Sequence, residues 1–223
     1  MTEQEWLACE DAWLMVQFLR KLGTDRRLVS PLAGGAMLRK IQLFACAACR
    51  LGWDGLDDPR WRQAVEVAER HADGLAKKAE LQKARHGAET ANRDCTWDDK
   101  PARSLSVDAT KVAGEWAWNV LDRARWVAPL PLFRCVFGNP FRTAILASEW
   151  LTPTVVSLGL AAYEERELPS GAIDPQRLAV LSDALEEAGC TDGVVLEHLR
   201  SPGPHVRGCW ALDQIVGRQA ALS

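Results

Sequence analysis

Three dipeptides of a cap-forming side chain and proline, Asp58-Pro59, Thr152-Pro153 and Asp174-Pro175, each stand directly before a stretch of helical apolar spacing. Proline is tolerated at the first helical position, where its missing N–H would be unbonded anyway, and the preceding Asp or Thr offers an acceptor to the next free amides. Each dipeptide therefore marks a helix start. The residues after each one repeat at helical spacing: Trp61, Ala64, Val65, Ala68 and Ala72; then Val156, Leu160 and Tyr163; then Leu178, Leu181, Ala184 and Leu185. No segment alternates with the period of two that a half-buried strand requires. The expectation is an all-α chain of about seven or eight helices in a compact orthogonal or layered bundle.

The remaining segments fit that pattern. Thr2 and Glu5 form a capping box, and Trp6, Leu7, Leu14, Phe18, Leu19 and Leu22 then follow at helical spacing up to Gly23. Pro31 and Gly34-Gly35 interrupt the periodicity, which resumes from about Ala36 to Arg50. The helix after Asp58 reads as continuing past Arg85, periodicity is lost between Asn92 and Leu105, and a further helix runs from about Ser106 to Val127. LPLFRCVF reads as a short apolar turn, Thr191 to Leu199 as a short helix, and Pro204 as the start of the last one. Residues 1–223 are expected to make one helical domain, organised as two packed layers over 1–92 and 105–223 and joined by a loop near 93–104.

Composition excludes several classes. A chain 48% hydrophobic and 223 residues long can bury a substantial core. Its net charge of -3 is the wrong sign for a protein held to nucleic acid by phosphate contacts, so nucleic acid is not expected as the primary ligand. No apolar run approaches the length of about 18 residues that a membrane span needs, and the start MTEQEWLACED is acidic, so the expected location is cytoplasmic with no membrane contact. An odd number of cysteines, seven, with no small-domain spacing fits reduced thiols in that compartment. Ten Trp against one Tyr supply large apolar bodies suited to core packing and to interface anchoring.

Several blocks together, EWLACED, LFACAACR, AVEVAERHADGLA, FGNPFR, WLTPTVV, LSDALEEAGC and GPHVRGCW, make the chain resemble a family of uncharacterised helical proteins abundant in planctomycete-type bacteria. The blocks cover most of the chain in the same order. Residues 83–106 and 29–36 depart from the pattern. The resemblance implies an accessory or interaction module and carries over no activity, cofactor or catalytic residue.

The densest candidate for chemistry is Leu185 to Trp210, which holds Cys190, His198, His205 and Cys209. Two Cys and two His are a recognised zinc-ligand set, and the four-residue spacing of His205 and Cys209 would place both on one face of a helix. The competing reading assigns them to a tight helical corner, with Cys190 buried behind the stop residue Gly189 and His198 near a helix C-terminus. A second candidate is the rigid turn after Gly138, where Asn139, Phe141 and Arg142 form a binding loop. Cys46 and Cys49 make a CxxC late in a helix, where core packing outweighs redox chemistry. The primary expectation is a non-enzymatic protein–protein interaction module or accessory subunit of a larger assembly, with another protein as partner and no cofactor. One alternative is a zinc-binding or thiol-dependent enzyme centred on Cys190, His198, His205 and Cys209. Another is a nucleic-acid-binding accessory subunit using the basic helix from Lys77 to Arg93.

Overall fold

The computed structural model describes residues 1–24, 35–95, 101–112, 116–142 and 146–218. Among these residues it forms twelve α-helices and no strand: α1 (Glu3–Ala8), α2 (Ala12–Thr24), α3 (Gly35–Leu51), α4 (Pro59–Ala72), α5 (Lys78–Asp94), α6 (Pro101–Ala109), α7 (Trp116–Ala124), α8 (Leu130–Phe137), α9 (Pro153–Glu164), α10 (Pro175–Glu187), α11 (Gly193–Arg200) and α12 (Trp210–Ile215). The helical class agrees with the sequence pattern, whereas the count exceeds seven or eight. No described helix is long and apolar enough to cross a membrane.

The excess arises where one periodic stretch is cut in two. The first stretch breaks after Ala8, because Asp11 accepts from the Trp13 amide at 2.7 Å and starts a new helix. The stretch after Asp58 breaks at Asp73-Gly74, where Gly74 adopts a φ of 74° that ordinary side chains avoid. Pro101 opens α6, so part of the expected 93–104 loop is helical and packs on α3 and α4. LPLFRCVF is helix α8, started by Leu130-Pro131, and the residues after Pro204 stay outside helix until Trp210. All three cap-and-proline starts form as expected, with Asp58 and Asp174 accepting from the second residue on and Thr152 from the third.

Helix α3 is the axis. Thirteen of its 17 residues are buried, among them Ile41, Phe44, Cys46 and Cys49, and α4, α6, α7 and α8 all pack on it. A helix enclosed on every side must also satisfy its polar residues internally. Arg39 donates to both oxygens of Asp213 at 2.6 and 3.0 Å, and to Asp73 and Tyr163 at 2.9 Å. Lys40 reaches Asp213 and the Gly208 carbonyl at 2.7 Å. Arg50 grips Glu69 of α4 through two bonds of 2.6 and 2.8 Å, and Arg166 closes on the same carboxylate from the far side. Burial of α3 thus ties α4 and the C-terminal helices to one rod.

These buried pairs make stability depend on pH. Burial alone would raise the Glu69 pKa, but the hydrogen bonds and charges of Arg166 and Arg50 outweigh it and hold the carboxyl at about 2, below its ordinary 4.5. A depressed folded-state pKa contributes stability above about pH 4.5 and loses it as pH falls toward 2, here about 3 kcal/mol. Urea unfolding from pH 7 to pH 2 should show this loss for the wild type. Glu69→Gln should lack that part of the slope and be about 3 kcal/mol or more less stable at neutral pH, because two buried guanidinium groups lose their partner. Parallel stability profiles for the two proteins would contradict this account.

Candidate metal centre

Cys135 stands in the last turn of α8, a helix whose apolar residues Phe133, Val136 and Phe137 lock it into the core around Phe44. The helix ends at Gly138, whose φ of 62° lets the chain turn directly against Trp210. His198 lies late in α11, which starts where Asp192 accepts from the amides of Val194 and Val195. His205 and Cys209 lie in the non-helical stretch between α11 and α12. That stretch is held by a single antiparallel bridge between Ala172 and Val206 and by the Ile173 amide donating to the His205 carbonyl at 2.8 Å. Gly203 and Gly208, with φ of 91° and 85°, allow its two sharp bends.

These segments bring Cys135, His198, His205 and Cys209 together, with one ligand atom from each lying within 4.8 Å of all the others. The Nε2 of His198 is 3.2 Å from the Sγ of Cys209, and the Sγ of Cys135 is 3.8 Å from the Nδ1 of His205. In a tetrahedral zinc site, bonds of about 2.3 Å to sulfur and 2.0–2.1 Å to nitrogen place neighbouring ligand atoms about 3.3–3.8 Å apart. The cluster is therefore within a small side-chain adjustment of that geometry. Cys135, His205 and Cys209 are buried, and His198 is half-buried between Trp210 and His205.

The ring orientation of His205 follows from its neighbours. Its Nε2 lies 3.0 Å from the Ser201 carbonyl, which can only accept, so Nε2 carries a hydrogen and Nδ1 faces the cluster. The Ser201 hydroxyl donates to the His198 carbonyl at 2.7 Å and accepts at 3.2 Å from the same Nε2. A metal-ligating His typically makes such a second hydrogen bond, which fixes ring orientation.

Electrostatics also separate the two thiols. Burial would push the Cys209 thiol up, but hydrogen bonds from Cys135, His198 and His205, together with the His198 charge, pull it well below its ordinary value. Cys135 is pushed up, first by its hydrogen bond to Cys209 and then by burial. For His205, burial works against protonation, and the bond to Cys209 more than offsets it. The cluster therefore favours a thiolate at Cys209, the form that binds a metal.

The sequence-derived set needs one correction. Cys190 is buried at the corner between α10 and α11, where its amide bonds the Leu185 carbonyl, and it is not a member of the cluster. The fourth member of the cluster is Cys135, which no local spacing connects to the C-terminal stretch. His205 and Cys209 also do not share a helix: Cys209 only caps α12. The binding-loop residues bond to the N-terminal segment, with Phe141 and Arg142 remaining exposed. Asn139 and Arg142 both donate to Glu3 at 2.8 and 2.9 Å, and the Phe141 ring stacks on Phe18 at 5.1 Å, so the loop clasps the N-terminal helices. Cys46 and Cys49 face the carbonyls of Val65 and Ala102 within the core, and burial pushes both thiols up.

Fold and cluster together define an all-helical protein with a buried Cys2His2 group. No protein-family model, curated protein or solved structure matches the chain.

The turn at Gly138 gives a direct test of how the cluster is held. A Cβ there would lie 2.8 Å from the Trp210 ring, beside Cys209, whereas a Cβ at Gly74, which has a similar φ of 74°, would meet nothing within 4 Å. Both Gly→Ala changes put a side chain at positive φ at a cost of about 1 kcal/mol or more, but Gly138, with ψ of -147°, lies in a region adopted almost only by glycine, and only Gly138→Ala adds a clash. Chemical denaturation should find Gly138→Ala the more damaging by at least about 1 kcal/mol. Equal losses would show that the Trp210 contact does not matter.

Proposed function

We propose that the chain is a non-catalytic helical binding module whose C-terminal half is fastened by a structural zinc ion at Cys135, His198, His205 and Cys209. The observation that carries this reading is the convergence of four soft or borderline ligand atoms, from three separate segments, within 4.8 Å of one another. Four protein ligands close the tetrahedral shell, and structural sites are closed in this way, whereas catalytic sites leave a position for water or substrate. Burial supports the same role: Cys209 is 0% exposed, so its low-pKa thiol cannot meet a substrate as a nucleophile would. Zinc in such a site would supply cross-linking between α8, α11 and the start of α12.

The binding role rests on aromatic surface. Trp13, Trp116 and Trp126 are 45%, 44% and 75% exposed, and Trp is favoured among residues that anchor protein interfaces. The partner in this reading is another protein.

Elemental analysis of protein purified without chelator tests the centre. The expected result is about one zinc per chain, lost in Cys135→Ser and in Cys209→Ser and retained in Cys190→Ser. Chelation should lower the unfolding temperature of the wild type but not of Cys209→Ser. Zinc-free wild-type protein, or loss of zinc in Cys190→Ser with retention in Cys135→Ser, would contradict the assignment.

A further inference from the structure

A cavity of about 750 Å³ opens where the α4–α5 corner meets the N-terminal part of α3 and the residues after α12. Its size falls within the range of small-molecule sites, roughly 300–1,000 Å³. Six cations line it, Arg39, Lys77, Lys78, Arg85, Lys111 and Arg218, against one carboxylate, Asp73.

Most of these charges are already partly matched. Asp73 receives Arg39, Arg218 and the Tyr163 hydroxyl, all at 2.9 Å, and Glu89 serves both Arg85 and Lys111 at 2.9 and 3.1 Å. Lys77 and Lys78 are exposed and have no ion-pair partner among the described residues. The wall thus carries a clear positive excess in a chain whose net charge is -3. A concave, partly desolvated surface concentrates the field of such an excess on whatever enters it.

The backbone adds donors at the same mouth. Helix α5, 17 residues long, begins at Lys78, and its cap residue Lys77 offers no side-chain acceptor to the first-turn amides. The Glu80 amide donates to the Lys77 carbonyl at 3.0 Å, so it is the amides of Lys78 and Ala79, with the positive end of the helix dipole, that lie beside the two unmatched lysines. His71 also lines the cavity. Its Nδ1 is 3.3 Å from the Gln42 Oε1, and because the Gln42 amide nitrogen donates to the Ala109 carbonyl, that oxygen is an acceptor and Nδ1 carries the hydrogen.

We propose that this cavity binds a small polyanion carrying two or more phosphate or carboxylate groups, held by Lys77, Lys78 and the first turn of α5 at the mouth and by Arg85, Lys111 and Arg218 on the walls. The site stands apart from the zinc ligands and does not depend on them. Its concave shape favours a compact ligand over an extended nucleic-acid strand, which would need a groove and stacking rings.

Calorimetric titration of the full chain at physiological ionic strength, with inorganic pyrophosphate and citrate as separate probes, tests the proposal. Saturable binding of either probe is expected. Tighter pyrophosphate identifies a phosphoryl ligand, and tighter citrate a polycarboxylate. The double variant Lys77→Gln/Lys78→Gln, both exposed and outside the core, should bind at least roughly tenfold more weakly with unchanged unfolding temperature. Lys83→Gln, exposed on the same helix but away from the cavity, should bind as the wild type does. Neither anion binding to the wild type, an unaffected double variant, or binding of a single-stranded oligonucleotide in place of both small anions would overturn it.

Discussion

The carboxylate of Asp213 is wholly buried, and the C-terminal third of the molecule is arranged around it. Two cations of α3, Arg39 and Lys40, close on it at 2.6 and 2.7 Å, which fixes α12 to the central helix at one point. Burying three charges costs several kcal/mol per ion in lost hydration, and attraction between them repays this only when the geometry is good and every donor is used. The contacts here are short and most donors are engaged. Arg39 spreads its bonds over Asp213, Asp73 and Tyr163, and Lys40 also donates to the Gly208 carbonyl. Such a pair adds little net stability over a well-packed apolar one; its effect here is to set position.

Position matters because Asp213 and Cys209 are one helical turn apart, joined by the Asp213 amide donating to the Cys209 carbonyl at 2.9 Å. The Gly208 carbonyl that receives Lys40 belongs to the residue just before Cys209, and the side chain of Leu43 lies 3.0 Å from where a Cβ on Gly208 would be. The thiolate position is thereby referenced to α3. Cys135 is referenced to the same helix through Phe133 and Phe137 against Phe44. The two sulfurs come from opposite ends of the second half of the chain, yet each is placed by contacts to one rod. The basic cavity shares this frame, since Arg39 and Arg218 on its wall meet at Asp73.

Local chemistry made the helical class legible in the sequence, because caps and prolines act within one turn and three of the helix starts needed no tertiary help. The cuts at Asp11 and Asp73-Gly74 were weaker signals: each lies inside a stretch whose apolar spacing continues across the break, and periodicity says nothing about whether two helices are collinear or folded back. The candidate site was legible in part for the same reason. His198, His205 and Cys209 lie within one short run, where proximity alone groups them, and the same run holds Cys190, which the Gly189 stop carries into a different corner. Cys135 is 70 residues from His205 and sits in a run of apolar residues where a Cys reads as packing. Only the fold of α8 onto α3 brings it to the cluster. The loop of Asn139, Phe141 and Arg142 was recognised as rigid, but its polar groups find Glu3 across 136 and 139 residues, a pairing outside the reach of local patterns.

In the proposed centre, a metal completes the cluster with two sulfurs and two nitrogens. X-ray absorption at the zinc edge on the intact protein tests it most directly. The account predicts a four-coordinate ion with two sulfur neighbours at about 2.3 Å and two imidazole nitrogens at about 2.0–2.1 Å, reduced to one sulfur or lost altogether in Cys135→Ser. A shell of light atoms only, or an unchanged spectrum in Cys135→Ser, would contradict it.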